Sequence, residues 1–394
     1  MIVDSLLKKI LKKGHLVWIK PNGLDFEYGD KTGTSIKMRT TNDFSEIKMM
    51  MNPSLHFGES YMNGSLILEE GTIHDLLKLI FINSGSNADH WVMKVDKFIR
   101  AIRNRIVSSN YIPKSKKNVA HHYDLSDKLY DLFLDKDRQY SCAYFNSPND
   151  TLEQAQLNKK ELIAKKLLLE EDQNVLDIGS GWGGMASYLS KRSNVNVKGV
   201  TLSEEQIVYS KQRKIDESLD RVEYALQDYR NVEESYDRIV SVGMFEHVGT
   251  PHYQEFFDKV YQLLNETGVA LIHTIGRIDQ PTTNDPWIEK YIFPGGYIPA
   301  LSEVMQRVEK SGLTTTDIQV LKFHYAETLK RWRYNFYDNI EKVKEFYDEK
   351  FCRMWDFYLS SSQASFEESS LVIYQLQLSK NKKTVPDSRD YLMV

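Results

Sequence analysis

Apolar positions in the C-terminal two thirds of the chain fall in short runs that alternate with longer amphipathic stretches. Runs rich in Val, Ile and Leu are typical of buried parallel strands, and the stretches between them have helical periodicity. This alternation predicts an α/β fold with a doubly wound, Rossmann-like sheet, whose ligands bind at the carboxyl ends of the strands. The predicted strands cover Val175–Ile178, Val195–Leu202, Arg221–Gln227, Arg238–Val242 and Val269–Ile275.

The pattern is different near the N-terminus, where the apolar segments are shorter and are separated by Gly, Asn, Pro and Asp. Turn residues between short strands indicate a smaller, mixed α+β domain. A longer segment with helical spacing follows. The predicted strands are His15–Lys20, Gly23–Tyr28 and Ser35–Arg39, and the helical region covers Ile73–Ser108.

The charge distribution supports a division of the chain. Residues 1–120 carry a net charge of +6, which leaves −10 for the remainder of a chain whose total is −4. A polar stretch with one proline and three lysines separates the two patterns. We therefore expect an N-terminal domain at 1–110, a linker at 111–120 and a larger domain at 121–394.

The first residues predict an amphipathic helix, and two interpretations of it stay open. Its apolar stripe and basic face are typical of a helix that lies on an anionic membrane surface. The same stripe is also what a solvated helix packs against its own domain. The apolar positions are Ile2, Val3, Leu6, Leu7, Ile10 and Leu11, and the basic positions are Lys8, Lys9, Lys12 and Lys13.

Composition excludes several classes of protein. Two cysteines in 394 residues cannot form a disulfide framework, so we expect a reducing, cytoplasmic compartment. No apolar run approaches the ~20 residues that span a bilayer. Because the larger domain is acidic, we expect no nucleic-acid partner. No His, Cys and carboxylate positions have ligand spacing, so we expect no metal site.

A glycine-rich turn follows the first predicted strand of the larger domain, in the sequence VLDIGSGWGG. Asp177 ends the strand, and Gly179, Gly181 and Gly183 let the backbone bend and approach a ligand closely before the next helix begins. Such a turn predicts a nucleotide cradle. The pattern occurs in both dinucleotide-binding enzymes and methyltransferases.

The residues that follow the next strands favour S-adenosylmethionine. An NAD enzyme requires an acidic residue at the end of the second strand, where this chain has Thr201 and Leu202. Gln206, one turn further on, is placed to reach a ribose or a carboxylate. Asp228, followed by Tyr229, is placed to accept a hydrogen bond from an adenine amino group. We therefore expect these residues to bind the cofactor of a methyl-transfer enzyme.

Nine motifs follow one another along the chain from about residue 121 to the C-terminus. They are HHYDLSDKLYDLFLD, QYSCAYF, VLDIGSGWGG, GVTLSEEQ, QDYR, DRIVSVGMFEHVG, LIHTIG, YIFPGGYIP and HYAETLKRW. This set resembles that of the cyclopropane-fatty-acyl-phospholipid synthases, which are related to the mycolic acid cyclopropane synthases. The earlier segment GESYMNG resembles the bacterial members that act on phospholipids. The resemblance implies a class I methyltransferase fold for 121–394.

The resemblance implies methylene transfer from S-adenosylmethionine to the cis double bond of an unsaturated acyl chain in a membrane phospholipid. The double bond attacks the sulfonium methyl group, the resulting carbocation loses one proton from that methyl group, and a cyclopropane ring closes. A bound bicarbonate ion is the implied base. Two other functions stay open: a related methyltransferase that gives a branched methyl product or methylates an amine, and a lipid-binding protein with a vestigial catalytic domain.

The resemblance also implies site residues and partners. Expected partners are an anionic phospholipid bilayer at the inner face of the cell membrane, on which the N-terminal domain would dock peripherally, and a second copy of the chain in a homodimer. Tyr140 and Ser141 join the cofactor-binding residues named above. The implied bicarbonate site consists of Cys142, Glu246, His273, the backbone of Ile275, and Tyr325.

Overall fold

The computed structural model describes residues 2–84 and 127–393. The predicted linker and the helical residues after Ser84 lie outside the described residues. The strands are β1 His15–Ile19, β2 Asp25–Tyr28, β3 Ser35–Thr40, β4 Leu66–Glu70, β5 Asn174–Ile178, β6 Asn196–Thr201, β7 Val222–Leu226, β8 Tyr236–Val242, β9 Leu264–Arg277, β10 Thr314–Leu321 and β11 Leu371–Ser379. The described helices are α1 Ile2–Ile10, α2 Glu46–Met51, α3 Pro53–Met62, α4 Ile73–Ser84, α5 Asp127–Phe133, α6 Leu152–Leu167, α7 Gly184–Ser193, α8 Glu204–Asp216, α9 Tyr253–Leu263, α10 Pro286–Tyr291, α11 Leu301–Ser311, α12 His324–Asp338, α13 Ile340–Lys344 and α14 Glu349–Glu368.

The chain forms two compact units. Among the described residues, the first unit contains 2–84, 282–293 and 326–370, and the second contains the rest. The first unit thus combines the N-terminal part of the chain with two segments from the C-terminal half.

The second unit is built on a seven-stranded sheet with the order β10-β11-β9-β8-β5-β6-β7. Strands β5 to β9 are parallel to one another, and β11 runs antiparallel between β9 and β10. The predicted α/β, Rossmann-like fold is confirmed. Successive residues of β5 pack on opposite faces of the sheet. Val175 belongs to a buried apolar cluster with residues of α6 and α7, and Leu176 belongs to another with residues of α9 and α11.

The first unit contains a four-stranded sheet with the order β2-β1-β3-β4. Helix α1 packs against this unit, since Val3 is 7% exposed and Asp4 accepts a hydrogen bond from the Tyr28 hydroxyl at 2.8 Å. Leu11, just after the helix, is 3% exposed. The second interpretation of the apolar stripe, packing on its own domain, therefore holds for these positions.

The GESYMNG segment forms the end of α3 and the two residues after it, and packing requires its first glycine. A Cβ on Gly58 would lie 2.4 Å from the Trp287 ring of α10. Further along α3, the Tyr61 hydroxyl donates to Asp356 of α14 at 2.6 Å. Within the described ranges no helix is long and apolar enough to cross a membrane.

Candidate active site

A cavity in the second unit opens at the carboxyl ends of β5, β6 and β8. The Rossmann-like topology places ligands at this edge, because the turns that follow parallel strands converge there. Ten of the residues predicted to bind the cofactor line it: Tyr140, Ser141, Asp177, Gly179, Gly181, Thr201, Leu202, Gln206, Asp228 and Tyr229.

The glycine-rich turn has the backbone that its sequence predicts. The amides of Gly179 and Ser180 both donate to the Val200 carbonyl, at 2.9 and 3.0 Å, which ties the turn to β6. Gly181 has φ +55°, and a Cβ there would have no heavy atom within 4 Å, because the residue faces the cavity. Gly183 does not line the cavity. It caps α7 at φ +84°, where a Cβ would lie 2.6 Å from the Tyr224 hydroxyl.

Polar side chains at the strand ends are already held in place. The Thr201 hydroxyl donates to the Gln206 side chain at 2.8 Å. The Ser203 hydroxyl caps α8 by accepting a hydrogen bond from the Gln206 amide, which fixes the first turn of that helix. Both carboxylate oxygens of Asp228 accept hydrogen bonds from Arg230, at 2.9 and 2.7 Å. Because each carboxylate oxygen has two lone pairs, Asp228 retains acceptor capacity toward the cavity.

Asp177 is the more deeply buried of two buried acidic residues in this cavity wall, the other being Asp228. Its side chain is 1% exposed, and its Oδ2 atom has no hydrogen-bond partner among the described residues. Burial raises the pKa of Asp177 to about 7, and the charge of Lys159 opposes that shift. A buried acceptor aimed at the cavity fits the amine or hydroxyl donors of S-adenosylmethionine.

Several residues of the cavity wall were not predicted to bind the cofactor. Arg138 binds Asp131 through two hydrogen bonds and lies 4.2 Å from the centre of the Tyr209 ring. Tyr209 lies far from Arg138 in the sequence, so the only local signal for Arg138 is its position next to the QYSCAYF motif. The wall also includes Gln139, Met244 and His247, which were not predicted either.

Glu246 and Ile275 of the implied bicarbonate site are in direct contact. Glu246 lies in a short 3-10 turn after β8, and its Oε1 accepts a hydrogen bond from the Ile275 amide at 2.6 Å. Its Oε2 is buried without a hydrogen-bond partner among the described residues. Burial raises the pKa of Glu246 to about 7, and the Ile275 amide opposes the shift.

His273 lies on β9 in register with Val242, the last residue of β8. Its Nδ1 is 3.1 Å from the side-chain amide nitrogen of Gln375, and its Nε2 has no hydrogen-bond partner among the described residues. Burial lowers the pKa of His273 to about 3, so the ring is neutral at pH 7. With the Gln375 amide oriented in this way, Nδ1 accepts and the proton is on Nε2.

Cys142 and Tyr325 come from two segments that meet. Cys142 is 1% exposed and follows Ser141 of the cavity wall, and Tyr325 is 8% exposed at the start of α12. Between the segments, the Phe145 amide donates to His324 at 3.1 Å, and His324 stacks on Tyr144 at 4.7 Å.

The ion-site residues adjoin the cofactor cavity. The Gly243 amide donates to the His273 carbonyl at 2.9 Å, and Gly243 itself lines the cavity, as do Met244 and His247 on either side of Glu246. A neutral histidine that donates through Nε2, and a carboxyl whose raised pKa lets it keep a proton, offer two donors to a small oxyanion. The residues present therefore fit bicarbonate.

Comparisons with known proteins identify the family. The family model described as mycolic acid cyclopropane synthetase matches residues 112–376, and a domain of unknown function matches 5–90. The cyclopropane-fatty-acyl-phospholipid synthase of Escherichia coli is 40% identical over 259 residues, 66% of each chain. A probable fatty acid methyltransferase of Pseudomonas putida is 36% identical over 266 residues, 66% of this chain and 68% of its own.

A solved structure gives the same result. Mycolic acid cyclopropane synthase CmaA1, solved in complex with SAH and CTAB, is 33% identical with a TM-score of 0.63, covering 67% of this chain and 97% of its own. The motif resemblance and the class I methyltransferase fold are confirmed. The chain belongs to the mycolic acid cyclopropane synthetase family and is an S-adenosylmethionine-dependent methyltransferase.

Proposed function

We propose that this protein transfers a methylene group from S-adenosylmethionine to the cis double bond of unsaturated acyl chains in membrane phospholipids, giving a cyclopropane ring. The observation that carries the proposal is the pair of buried atoms without a partner, Glu246 Oε2 and His273 Nε2, beside the cofactor cavity. Simple methyl transfer to an amine does not require an anion site next to the cofactor. The name of the similar E. coli protein supports the same substrate class.

In this proposal a bound bicarbonate ion supplies the proton acceptor that the carbocation requires. His273 donates to the ion through Nε2, and Gln375 holds the ring in that tautomer. The Ile275 amide fixes the Glu246 carboxyl so that its second oxygen faces the ion. Cys142 and Tyr325 complete the site. Burial of these side chains keeps water, which would capture a carbocation, away from the reaction.

A second candidate function is formation of a branched methyl product, and the name of the similar P. putida protein favours it. The two functions differ only in what happens to the cation: it loses a proton to the bound base and closes the ring, or it takes a hydride from an external hydride donor and keeps the branched methyl group. The lipids of cells that express this chain distinguish them. We expect a gain of one CH₂ per double bond, with cyclopropyl proton resonances. A gain of CH₄ would identify the branched product, and unchanged lipids would contradict both.

We further propose that the N-terminal domain, residues 1–110, docks on an anionic bilayer at the inner face of the cell membrane. Lys8 and Lys9 of α1 are exposed. On α2, which has no buried residue, Ile47 is 71% and Met51 is 77% exposed. The two helices adjoin, since the Val3 amide donates to Glu46 at 3.3 Å. Exposed lysines beside exposed apolar side chains fit a surface of anionic lipid.

The resemblance also supports a homodimer, which we propose as the oligomeric state. Light scattering at several protein concentrations tests it: a mass of twice 45.9 kDa is expected, and a mass of one chain throughout would contradict it.

A further inference from the structure

Lys159, on the buried face of α6, is fully buried and binds the wall of the cofactor cavity. Its Nζ donates to the side chains of Gln139 at 2.7 Å and Ser141 at 2.8 Å. We propose that Lys159 is a positioning residue for the anion site: it fixes the segment that leads into Cys142, and its positive charge favours the bound anion. This inference rests on the proposed function, because it assumes a bicarbonate ion as the base.

Helix α6 holds this segment with two side chains three residues apart, on one face of the helix. Gln156 is 1% exposed, and its amide donates to the carbonyls of Gln139 at 3.1 Å and Ser141 at 3.0 Å. Lys159 then binds the side chains of the same two residues. Four hydrogen bonds thus fix residues 139–141, and Cys142 is the next residue of the chain.

A neutral side chain would provide the hydrogen bonds without the free-energy cost of burying a charge. The charge of Lys159 is not neutralised by a direct ion pair, because among the described residues no carboxylate lies within 4.0 Å of its Nζ. The carboxylate of Asp137 is bound instead to Lys160 and Arg213, at 2.5 and 2.7 Å. The Asp135 carboxylate accepts a hydrogen bond from the Gln139 backbone amide at 2.8 Å.

The charge of Lys159 therefore acts on the groups around it. It opposes the rise that burial causes in the pKa of Asp177 in the cofactor cavity. Together with the charge of Lys166, it adds to the lowering that burial causes in the pKa of His273. A charge that disfavours protonation of His273 is one that favours an anion beside it. The other groups that act electrostatically on Lys159 are Asp135, Asp137, Lys160 and the Cys142 thiol.

Lys166 offers a matched control on the same helix. It is also fully buried, and its Nζ lies 3.7 Å from Asp317, with no hydrogen bond to a residue of the cavity wall. Burial lowers the pKa of both lysines to about 8. Lys159→Met and Lys166→Met thus remove equally buried charges, and only the first removes a contact with the cavity wall.

The experiment compares these two variants with Ser141→Ala and with the double variant Lys159→Met/Ser141→Ala. Binding of ¹³C-labelled bicarbonate is followed by NMR, and the bicarbonate dependence of the rate is measured in parallel. We expect Lys159→Met to weaken bicarbonate binding about 10-fold or more. Ser141→Ala should weaken it less, and the double variant should fall short of the product of the two effects, because the residues act through one contact.

Lys166→Met is expected to lower the melting temperature and to weaken bicarbonate binding less than Lys159→Met does, because it removes a buried charge that also acts on His273 but removes no contact with the cavity wall. A Lys159→Met variant with wild-type bicarbonate binding and only a lower melting temperature would overturn this inference and leave the proposed function intact. A wild-type enzyme that neither binds nor requires bicarbonate would overturn both. If Lys159→Met does not fold, Ser141→Ala decides, because it leaves the lysine in place; unchanged bicarbonate binding there would overturn the inference.

Discussion

Two side chains in the candidate site, Glu246 and His273, are buried ionisable groups whose pKa values are displaced in opposite directions. Burial raises the pKa of the carboxyl to about 7 and lowers that of the imidazole to about 3. In both cases the uncharged form is favoured, so a charged ligand that binds between these groups meets no like charge from them. Such groups cost stability in the free protein, and buried ionisable groups with displaced pKa values are typical of functional sites.

The first prediction concerns catalysis. Glu246→Gln, His273→Gln and Tyr325→Phe leave the glycine-rich turn and Asp228 in place. We therefore expect near wild-type affinity for S-adenosylmethionine by calorimetry, with kcat lowered about 10- to 1000-fold, as when a proton acceptor is lost or misplaced. Added bicarbonate should partly restore the weaker variants. The hypothesis is falsified if cofactor affinity falls in step with activity.

The second prediction concerns stability. Between pH 4.5 and about 7 the folded protein keeps a proton on Glu246 that the unfolded chain has released, so the free energy of unfolding falls as pH rises through that range. Glu246→Gln removes this loss. Its stability relative to wild type should therefore increase by up to about 3 kcal/mol between pH 4 and pH 8.

His273→Gln should change the acidic side of the profile of unfolding free energy against pH. The folded protein keeps His273 neutral down to about pH 3, whereas the unfolded chain binds a proton near pH 6.5, so stability is lost as pH falls below 6.5. The variant should regain about 3 kcal/mol relative to wild type by pH 4. Urea unfolding at several pH values measures both effects. Profiles parallel to wild type would show that these two groups do not titrate as described.

Secondary-structure elements are predictable from the sequence where a local pattern of apolar and polar residues specifies them. Strands β5 to β9 are found close to their predicted positions because continuous apolar runs followed by glycine or polar residues specify buried parallel strands. Strand β11 was missed because Gln375 and Gln377 interrupt its apolar pattern. Both are fully buried, bound to His273 and to the Lys166 carbonyl, and such distant partners leave no local signal.

Helix α6 shows the same limit within the candidate site. Its sequence, LEQAQLNKKELIAKKL, is that of a polar surface helix, yet Lys159 and Lys166 are fully buried. The residues that make burial possible, Gln139, Ser141 and Asp317, come from other parts of the chain. The motif resemblance predicts Cys142 as a site residue, but the contacts of Lys159 with the segment before Cys142 are visible only in the three-dimensional structure.

The third prediction concerns the glycine-rich turn as an element. Gly181→Val places a branched side chain in the cavity, where a Cβ meets no protein atom. We expect a folded protein whose S-adenosylmethionine affinity falls at least about 100-fold, because the side chain occupies the ligand's space. Gly33→Val is the matched control: it has φ +74°, also with nothing within 4 Å, in the turn before β3. It should carry similar backbone strain and bind normally; equal affinity in both variants would remove Gly181 from the cofactor site.

For the whole molecule, the linear order of the sequence and the compact units divide the chain differently. The N-terminal part shares its unit with α10 and α14, through the close approach of Gly58 to Trp287 and the hydrogen bond from Tyr61 to Asp356. Removal of the N-terminal residues would therefore delete buried side chains such as Val3 and Leu11, and it would leave the Tyr28 hydroxyl without its partner Asp4. A deletion is a poor test of membrane docking for this reason, and charge reversal on the exposed face is a better one.

The last prediction tests the proposed docking on the complete chain. Lys8, Lys9 and Lys12 are exposed on α1 or directly after it, within residues 1–120, whose net charge is +6. At about 1 kcal/mol for each lysine near an anionic surface, the triple reversal to Glu should weaken binding to phosphatidylglycerol vesicles about 100-fold or more at low salt. The difference should shrink as salt rises, since screening weakens both attraction and repulsion.

Two further variants separate charge from apolar contact in that experiment. Reversal of Lys211, Lys382 and Lys383, which are exposed in the acidic part of the chain, makes the same change in net charge and should leave vesicle binding nearly unchanged. Ile47→Ser/Met51→Ser should weaken binding by a factor that changes little with salt, because the loss is apolar. Equal sedimentation of the wild type with neutral and anionic vesicles at every salt concentration would contradict the electrostatic part. An unchanged Ile47→Ser/Met51→Ser variant would contradict the role of α2, since these exposed side chains have no other described role in the first unit.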